Sequence, residues 1–208
     1  FIPVDSEHFS IYELIKYKNN NSIKKIILTA SGGPFLNRSI KKNISVNEAL
    51  NHPNWKMGKK ITIDSSTLMN KVFEVIEAKK IFNLKMKDIE ILINPNSYIH
   101  AIVIFNNGII KLLAHETKMD IPIYNSIYDE TLMKIDYNTK KLNLLKFNNL
   151  NLSMPNVKKF KLLNILNSIP KNDSLFETIL ISVNDHLVNM FLNKKITFDK
   201  ISYHLMKI

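Results

Sequence analysis

The chain has 208 residues, a formal net charge of +11 and no cysteine. Its length allows one good hydrophobic core or two modest domains. The lack of cysteine excludes disulfides and thiolate metal sites and fits a reducing compartment, and no apolar run is long enough to span a bilayer. The chain begins at Phe1 with residues typical of the end of a buried strand, so we expect that a further segment precedes it.

The positive charge comes almost entirely from lysine, since Arg38 is the only arginine. A basic balance suits a nucleic acid, an anionic lipid or a phosphorylated substrate as partner. However, the lysines are scattered without an aromatic ladder between them, and the abundance of Lys, Asn and Ile is typical of an AT-rich genome. We therefore attribute the positive charge to compositional drift rather than to a surface that binds nucleic acid.

The hydrophobic pattern predicts strands interleaved with helices, followed by a weaker, helical region. In chain order it predicts a helix at 6–17 capped by Ser6, a strand at Lys25–Thr29, a helix at Val46–Leu50, a strand at Ile61–Asp64, a helix from Ser65 or Ser66 to Phe82, strands at Ile89–Ile93, Tyr98–Phe105 and Ile109–Ala114, and helices around Ile121–Ile135, 173–193 and 197–207. The Asn-Gly turn at Gly108 predicts a hairpin.

These elements predict an α/β (α+β) catalytic domain with a mixed sheet flanked by helices, followed by a small, shortened, all-helical C-terminal domain. We place the catalytic domain at 1–135, an Asn-rich linker at 136–172 and the helical domain at 173–208.

The segment Pro3-Val4-Asp5-Ser6-Glu7-His8 carries the most chemistry. On an extended segment Asp5 and Glu7 point the same way and can converge on one hard cation. A pair of acids on a solvated loop is the ordinary alternative.

Two serines are candidates for binding an anion. Ser31-Gly32-Gly33 follows a predicted strand, where backbone N–H groups can surround a phosphate, although an ordinary tight turn explains it equally well. Ser65 opens a predicted helix, so its hydroxyl and the first free N–H groups offer a second set of phosphate ligands, or serve only as a helix cap.

The predicted helix after Ser65 has a polar stripe of Asn70, Glu74 and Glu77, flanked by Lys71. This stripe is either a solvated face with a weak Lys71–Glu74 ion pair, or a face directed at a site. In the second case Asn70 and Lys71 hold a phosphate or hydroxyl, and Glu74 supplies a third carboxylate. The spacing alone leaves both interpretations open.

The loop from His52 to Gly58 holds the only tryptophan, Trp55, which is either a core residue or part of a lid that excludes water. His100 lies in an apolar predicted strand, where a satisfied core histidine is the default. His115, His186 and His204 receive no assignment.

Four motifs together resemble the 1-deoxy-D-xylulose 5-phosphate reductoisomerase family. They are Ile-Pro-Val-Asp-Ser-Glu-His at 2–8, Leu-Thr-x-Ser-Gly-Gly-Pro-Phe at 28–35, His-Pro-Asn-Trp-x-Met-Gly at 52–58 and Asp-Ser-x-Thr-x-Met-Asn-Lys-x-x-Glu at 64–74, in the family's order. The match is strong to residue 100, patchy to about 125 and faint thereafter.

The resemblance implies conversion of 1-deoxy-D-xylulose 5-phosphate to 2-C-methyl-D-erythritol 4-phosphate with NADPH and Mg²⁺, Mn²⁺ or Co²⁺. It also implies a homodimer in a bacterial cytoplasm or a plastid, without a membrane partner. The implied metal ligands are Asp5, Glu7 and Glu74; the catalytic residues are Glu7, His52 and His100; and the substrate-binding residues are Ser6, Ser31, Trp55, Met57, Ser65, Asn70 and Lys71, with His52, Trp55 and Met57 on a mobile flap.

The chain also departs from the family pattern. The family's NADPH-binding domain precedes Pro3, and no G-x-G-x-x-G occurs in these residues, so we expect this chain alone to bind NADPH poorly. Asn94-Pro95-Asn96 replaces a typical His-Pro-Gln, and the stretch 114–122 keeps only Met119 and Pro122. An inactive relic that still binds metal or sugar phosphate, and a basic nucleic-acid-binding module, are the alternatives that we rank below an active reductoisomerase.

Overall fold

The computed structural model describes residues 1–17, 22–40, 43–53, 57–128, 144–172 and 174–208. These residues form two compact units, each made of two chain segments. The sheet unit contains Phe1–Ser31 and Glu74–Met154, and the helical unit contains Gly32–Phe73 and Pro155–Ile208.

The sheet unit is built on a mixed four-stranded sheet with the order β2-β1-β3-β4 in the described residues. The strands are β1 (Ile23–Ala30), β2 (Ile89–Ile93), β3 (Ile99–Phe105) and β4 (Ile110–Ala114). β1 pairs parallel with β2 and antiparallel with β3, so Leu28 lies between Ile91 and Ala101. β1 and β3 are interior strands with near-continuous apolar runs, as expected for strands buried on both faces. The predicted mixed sheet is confirmed.

The helix α1 (Ser6–Ile15) packs against β3 and β4 and buries Phe9, Ile11 and Ile15. It was predicted at 6–17, but its N-cap is Asp5, with extended backbone angles, and Ser6 is already helical. The hairpin between β3 and β4 is confirmed: Gly108 has φ +84°, and its N–H donates to Phe105 O at 3.0 Å.

In the helical unit, the predicted strand at Ile61–Asp64 is wrong, because these residues belong to α3 (Lys59–Thr67). β-branched residues favour a strand in isolation. In the folded chain Ile63 is fully buried, and the hydroxyls of Thr62, Ser66 and Thr67 donate to carbonyls three or four residues earlier in the chain. Tertiary burial and local hydrogen bonds therefore outweigh the intrinsic preference.

The predicted helix from Ser65 or Ser66 to Phe82 is also wrong at its start. α3 ends at Thr67, Leu68 takes a left-handed conformation with φ 60°, and a second helix, α4 (Met69–Ile81), begins after it. Ser65 consequently lies in the last turn of α3 and does not cap a helix.

The remaining helices of the helical unit are α2 (Val46–Leu50) and the predicted C-terminal pair, α7 (Phe176–Leu192) and α8 (Phe198–Leu205). A 3-10 helix at Lys161–Ser168 packs against α8. Phe198 is buried with its ring edge-on to the rings of Phe35 and Phe191, with centroids 5.2 and 5.5 Å away.

The helix predicted around Ile121–Ile135 is confirmed over α5 (Asp120–Ile127), which ends at an extended Tyr128. The remainder of the prediction, from residue 129, lies outside the described residues. The predicted linker contains α6 (Leu144–Asn148) and a bridge between Ile93 and Ser153. The division at residues 135 and 172 stays a prediction. Within the ranges described, no helix is both long and apolar enough to cross a bilayer.

Candidate metal centre and phosphate-binding residues

Three carboxylates converge within the sheet unit. Asp5, Glu7 and Glu74 each offer one oxygen, and these oxygens lie within 4.8 Å of one another. Glu74 is buried at 3% exposure, and the other two are half-buried. We call these three residues the acidic cluster. Oxygen ligands at this separation suit one hard divalent cation, which would offset the repulsion between them.

The acidic cluster forms by a different route from the expected extended segment. Asp5 is the N-cap of α1, with φ −62° and ψ 140°, while Glu7 lies in the first helical turn. The turn into the helix, rather than strand alternation, brings their side chains to one side. Both carboxylates lie at the positive end of the helix dipole. Glu74 reaches them from α4.

Ser6 is buried between the two acids of α1. Its hydroxyl donates to Glu7 Oε2, and its carbonyl accepts a hydrogen bond from Ser10 Oγ at 2.7 Å. The Ser6 hydroxyl therefore orients the carboxylate of Glu7.

His8 links Asp5 to Glu74 within the acidic cluster, a role that no pattern in the sequence predicts. Its ring is 2% exposed; Nε2 donates to Glu74 O at 2.9 Å, and Nδ1 lies 3.2 Å from Asp5 Oδ2 and 3.7 Å from Glu77 Oε2. Burial alone would lower the pKa of His8, but the bond and charge of Asp5, the Glu74 carbonyl and the Glu77 charge outweigh burial and raise it. Outer partners of this kind orient metal ligands.

Two buried histidines of the sheet unit stack on each other. The rings of His100 on β3 and of His115 have centroids 3.7 Å apart and planes 11° apart. His100 Nε2 lies 3.2 Å from His115 O, and His115 Nδ1 lies 2.7 Å from Glu116 O. Since a carbonyl oxygen only accepts, each of these ring nitrogens carries a hydrogen.

Burial lowers the pKa of His115, and within the described part of the chain its buried Nε2 has no hydrogen-bond partner. No pattern in the sequence points to this histidine: its neighbours 114–122 match the family poorly, and a ring that stacks face to face leaves no periodic signal.

The predicted flap is described in part. His52 and Met57 are half-buried, burial lowers the pKa of His52, and Trp55 lies outside the described residues. Ser31 is half-buried at the end of the sheet unit's first segment.

The remaining predicted phosphate ligands belong to the helical unit. Ser65 and Asn70 are half-buried, and Lys71 is only 3% exposed. The interpretation of the stripe as a solvated face is therefore wrong for Lys71 and Glu74, although the Glu77 side chain is 55% exposed. The helix start expected at Ser65 lies instead at the beginning of α4, where Asn70 and Lys71 occupy the first turn.

The turn Ser31-Gly32-Gly33 approaches the end of α3 closely. Gly33 has φ +61°, and a Cβ there would lie 2.9 Å from Ser65 O. Glycine is thus required at this position both for its backbone conformation and for its closeness to Ser65.

A mixed sheet, helices and a cluster of three carboxylates at the start of α1 and on α4 define an α/β type of domain with a candidate metal site. Family models described as the C-terminal domain of 1-deoxy-D-xylulose 5-phosphate reductoisomerase match residues 1–82 and 115–208. The chain belongs to the 1-deoxy-D-xylulose 5-phosphate reductoisomerase family.

Individual relatives agree with this assignment. The reductoisomerase of Pelagibacter ubique is 59% identical over 210 residues, which cover 100% of this chain and 54% of the relative. That of Persephonella marina is 40% identical, over 99% of this chain and 55% of the relative. The chain therefore spans about half the length of these relatives.

Solved structures agree as well. A crystal structure of DOX-P reductoisomerase with NADPH, fosmidomycin and magnesium has a TM-score of 0.88 at 36% identity, over 99% of this chain and 53% of that chain. The Zymomonas mobilis reductoisomerase with NADPH has a TM-score of 0.87 at 31% identity, over 99% and 53%.

Proposed function

We propose that this chain is the metal- and substrate-binding part of an active 1-deoxy-D-xylulose 5-phosphate reductoisomerase. The observation that carries the proposal is the acidic cluster, in which carboxylate oxygens of Asp5, Glu7 and Glu74 lie within 4.8 Å of one another. Family membership supports the reaction, which yields 2-C-methyl-D-erythritol 4-phosphate with NADPH as reductant. A decayed relic would have no reason to keep the buried Glu74 together with its partners.

Asp5, Glu7 and Glu74 fit a Mg²⁺, Mn²⁺ or Co²⁺ ion in charge and ligand type. When bound, such an ion supplies Lewis-acid polarisation of the substrate's carbonyl and hydroxyl oxygens. Ser6 orients Glu7, and His8 fixes the backbone of Glu74 and neighbours Asp5. With a dication bound, the three carboxylates would give the site a net charge near −1. Such a site suits a neutral keto-alcohol better than a further anion.

The substrate phosphate is assigned to Ser65, Asn70 and Lys71, together with Ser31. Lys71 as a residue is 3% exposed, so a charge on its side chain acts in a poorly screened environment. We assign the exclusion of water from the bound sugar phosphate to the flap that the family resemblance implies, with His52 and Met57 as its described members.

His100 contributes as an imidazole with a defined protonation pattern. Its Nε2–H donates to the His115 carbonyl, which fixes the tautomer and the orientation of the ring. The stacked ring of His115 limits the rotation of His100 out of this arrangement.

The reduction requires NADPH, which supplies the hydride and which we assign mainly to a nucleotide-binding domain outside this chain. We also propose a homodimer in the cytoplasm of a bacterium, in line with the bacterial relatives. The edge strand β4 supports the dimer, since it exposes Ile110 and Leu112 at 63% and 43%.

Calorimetric titration of Mn²⁺ into chelator-treated protein tests the metal site. We expect one site per chain in the wild type and at least about tenfold weaker binding in Glu74→Gln, which keeps the side chain's shape but removes its charge. Glu77→Gln, three residues further along α4 and exposed, is the matched control and should bind normally. Equal Mn²⁺ affinity in the wild type and Glu74→Gln would contradict the proposal.

The activity is tested in a protein that carries this chain together with a nucleotide-binding domain of the family. We expect NADPH oxidation that requires both 1-deoxy-D-xylulose 5-phosphate and a divalent metal. Intact Mn²⁺ binding without any turnover would favour the relic.

A further inference from the structure

Two neighbouring side chains of α7 bind α3 beside Ser65. Asn184 Nδ2 donates to Asp64 Oδ1 at 2.9 Å, and Asp64 directly precedes Ser65. Lys60 Nζ lies 3.0 Å from Asp64 Oδ2 and 3.0 Å from Asp185 Oδ1. Two polar bridges thus join the middle of α7 to α3, and all four residues belong to the helical unit.

The bond between Asn184 and Asp64 is deeply buried. Asp64 is 1% exposed and Asn184 is 0% exposed. Burial raises the pKa of Asp64, while the Asn184 hydrogen bond and the Lys60 charge act in the opposite direction. Both carboxylate oxygens have a donor, as a buried acid requires.

The amide of Asn184 is used on one side only. Its Oδ1 is buried and has no hydrogen-bond partner among the residues that the structure describes, although a leucine would fit the apolar face that α7 presents with Leu180, Leu187 and Val188. An amide whose acceptor is left unsatisfied costs stability. The Asn184 amide offsets this cost through the hydrogen bond that it donates to Asp64.

The backbone of Ser65 is held by two further contacts. Its carbonyl accepts from Leu68 N–H at 3.2 Å, where the chain turns left-handed, and it lies against Gly33. The position of Ser65 therefore depends on the turn at Gly33, on the helix end at Leu68 and, through Asp64, on α7.

We propose that Asn184 is a positioning residue for Ser65: it fixes Asp64, and thereby aims the Ser65 hydroxyl at the phosphate of the substrate. This inference rests on the proposed assignment of Ser65 to the phosphate. Asn184 acts through Asp64 and touches no reacting atom.

The test uses the ¹⁵N-labelled chain and inorganic phosphate as probe. Asn184→Leu removes the donor and keeps a buried side chain of similar volume. We expect the Ser65 amide resonance to shift, the Leu68 amide to exchange faster, and the apparent phosphate Kd to rise about fivefold, a typical coupling between neighbouring elements. Val188→Ala, one turn along α7, is the control: it loses packing and stability, but should leave the Ser65 signal and the phosphate Kd unchanged.

An unchanged Ser65 amide in Asn184→Leu, or the same changes in Val188→Ala, would overturn the positioning role. If the Ser65 amide shifts in Asn184→Leu but the wild type binds no phosphate, the assignment of Ser65 to the phosphate is overturned instead. The two failures are therefore distinguishable. If Asn184→Leu does not fold, Asp64→Asn alters the same hydrogen bond from its other partner and must move the same two amides.

Discussion

His8 shows how one buried side chain can hold a functional cluster together. It contacts Asp5 through one ring nitrogen and the Glu74 carbonyl through the other, and its side chain is only 2% exposed. A group whose pKa is raised on folding stabilises the protein below its unfolded pKa, and that contribution is lost as the pH rises through the folded pKa. The ordinary value for histidine is 6.5, so for His8 the loss begins above it.

We therefore predict that, in chelator, the free energy of unfolding contains a component that falls as the pH rises above 6.5. His8→Gln should lack this component. Urea unfolding at closely spaced pH values measures the effect. Parallel pH profiles for the wild type and His8→Gln would show that the ring is neutral in the folded protein.

The pH dependence of stability expected from His115 has the opposite sign to that expected from His8. Burial lowers its pKa from 6.5, so its contribution is complete above 6.5 and is lost as the pH falls through the folded pKa. In His115→Gln the decline in the free energy of unfolding below pH 6.5 should be shallower than in the wild type. A steeper decline in the variant would mean that His115 is charged when folded.

Gly33 permits a prediction that separates backbone conformation from close contact. Gly33 and Gly108 both have positive φ, of +61° and +84°, but only a Cβ at Gly33 meets another atom, Ser65 O at 2.9 Å. Gly108→Ala should cost about 1–2 kcal/mol in the free energy of unfolding, the usual penalty for a left-handed residue. Gly33→Ala should cost about 1–3 kcal/mol more, because the backbone around Ser65 must shift. Equal losses would show that the contact relaxes freely.

At the scale of elements, Asn94 organises the connection from β2 to β3. Its Oδ1 accepts from the backbone N–H groups of Tyr98 and Ile99 at 3.0 and 3.2 Å, and its Nδ2 donates to Leu150 O. Asn94 is fully buried. This residue belongs to the triplet in which the chain departs from His-Pro-Gln, so an amide takes over the bonding of this turn.

Asn94→Leu should therefore leave two buried N–H groups without an acceptor, at about 2–5 kcal/mol of unfolding free energy. Asn96→Ala is the control, because Asn96 makes a single exposed bond, to Asn149 O at 2.9 Å, and should cost less than about 0.5 kcal/mol. Chemical denaturation measures both. Similar losses would mean that water satisfies the two amides in Asn94→Leu.

The helices α3 and α4 show which elements a sequence can predict. The strands β1 to β4 are rich in apolar residues, and β1, β2 and β3 are followed by Ser31-Gly32, Asn94-Pro95 and Asn106. All four strands were predicted to within two residues at each end. The segment Ile61–Asp64 has the same local composition, yet it is helical because burial of Ile63 and hydrogen bonds from three hydroxyls decide the outcome. The left-handed Leu68 has no local signal, since leucine rarely adopts that conformation.

The candidate site could be predicted in part for a related reason. Asp5, Glu7 and Glu74 were found because their residue types match a family motif, but the stacking of His100 and His115 and the Asn184–Asp64 bond join distant segments. Such pairs depend on tertiary packing, and one sequence holds no record of them.

At the scale of the whole molecule, the chain passes between the two compact units three times. The units divide at Ser31, Phe73 and Met154 because non-contiguous segments pack together, a grouping that a linear reading of the sequence does not show. The acidic cluster likewise joins the first residues of the chain to a helix far along it. A bound cation would therefore close a long loop and couple metal binding to folding.

This coupling predicts that the wild type and Glu74→Gln exchange their order of melting temperature when metal is added. Without metal, the oxygens of Asp5, Glu7 and Glu74 repel at separations below 4.8 Å, so Glu74→Gln should melt above the wild type in chelator. With Mn²⁺ at 100 times its Kd, the wild type should gain about 2.7 kcal/mol and melt above Glu74→Gln. Glu77→Gln keeps all three carboxylates of the cluster, so its gain in melting temperature from chelator to Mn²⁺ should equal that of the wild type. Scanning calorimetry in chelator and in Mn²⁺ measures the order, and a Glu74→Gln that melts below the wild type in both would show that Glu74 serves packing rather than a cation.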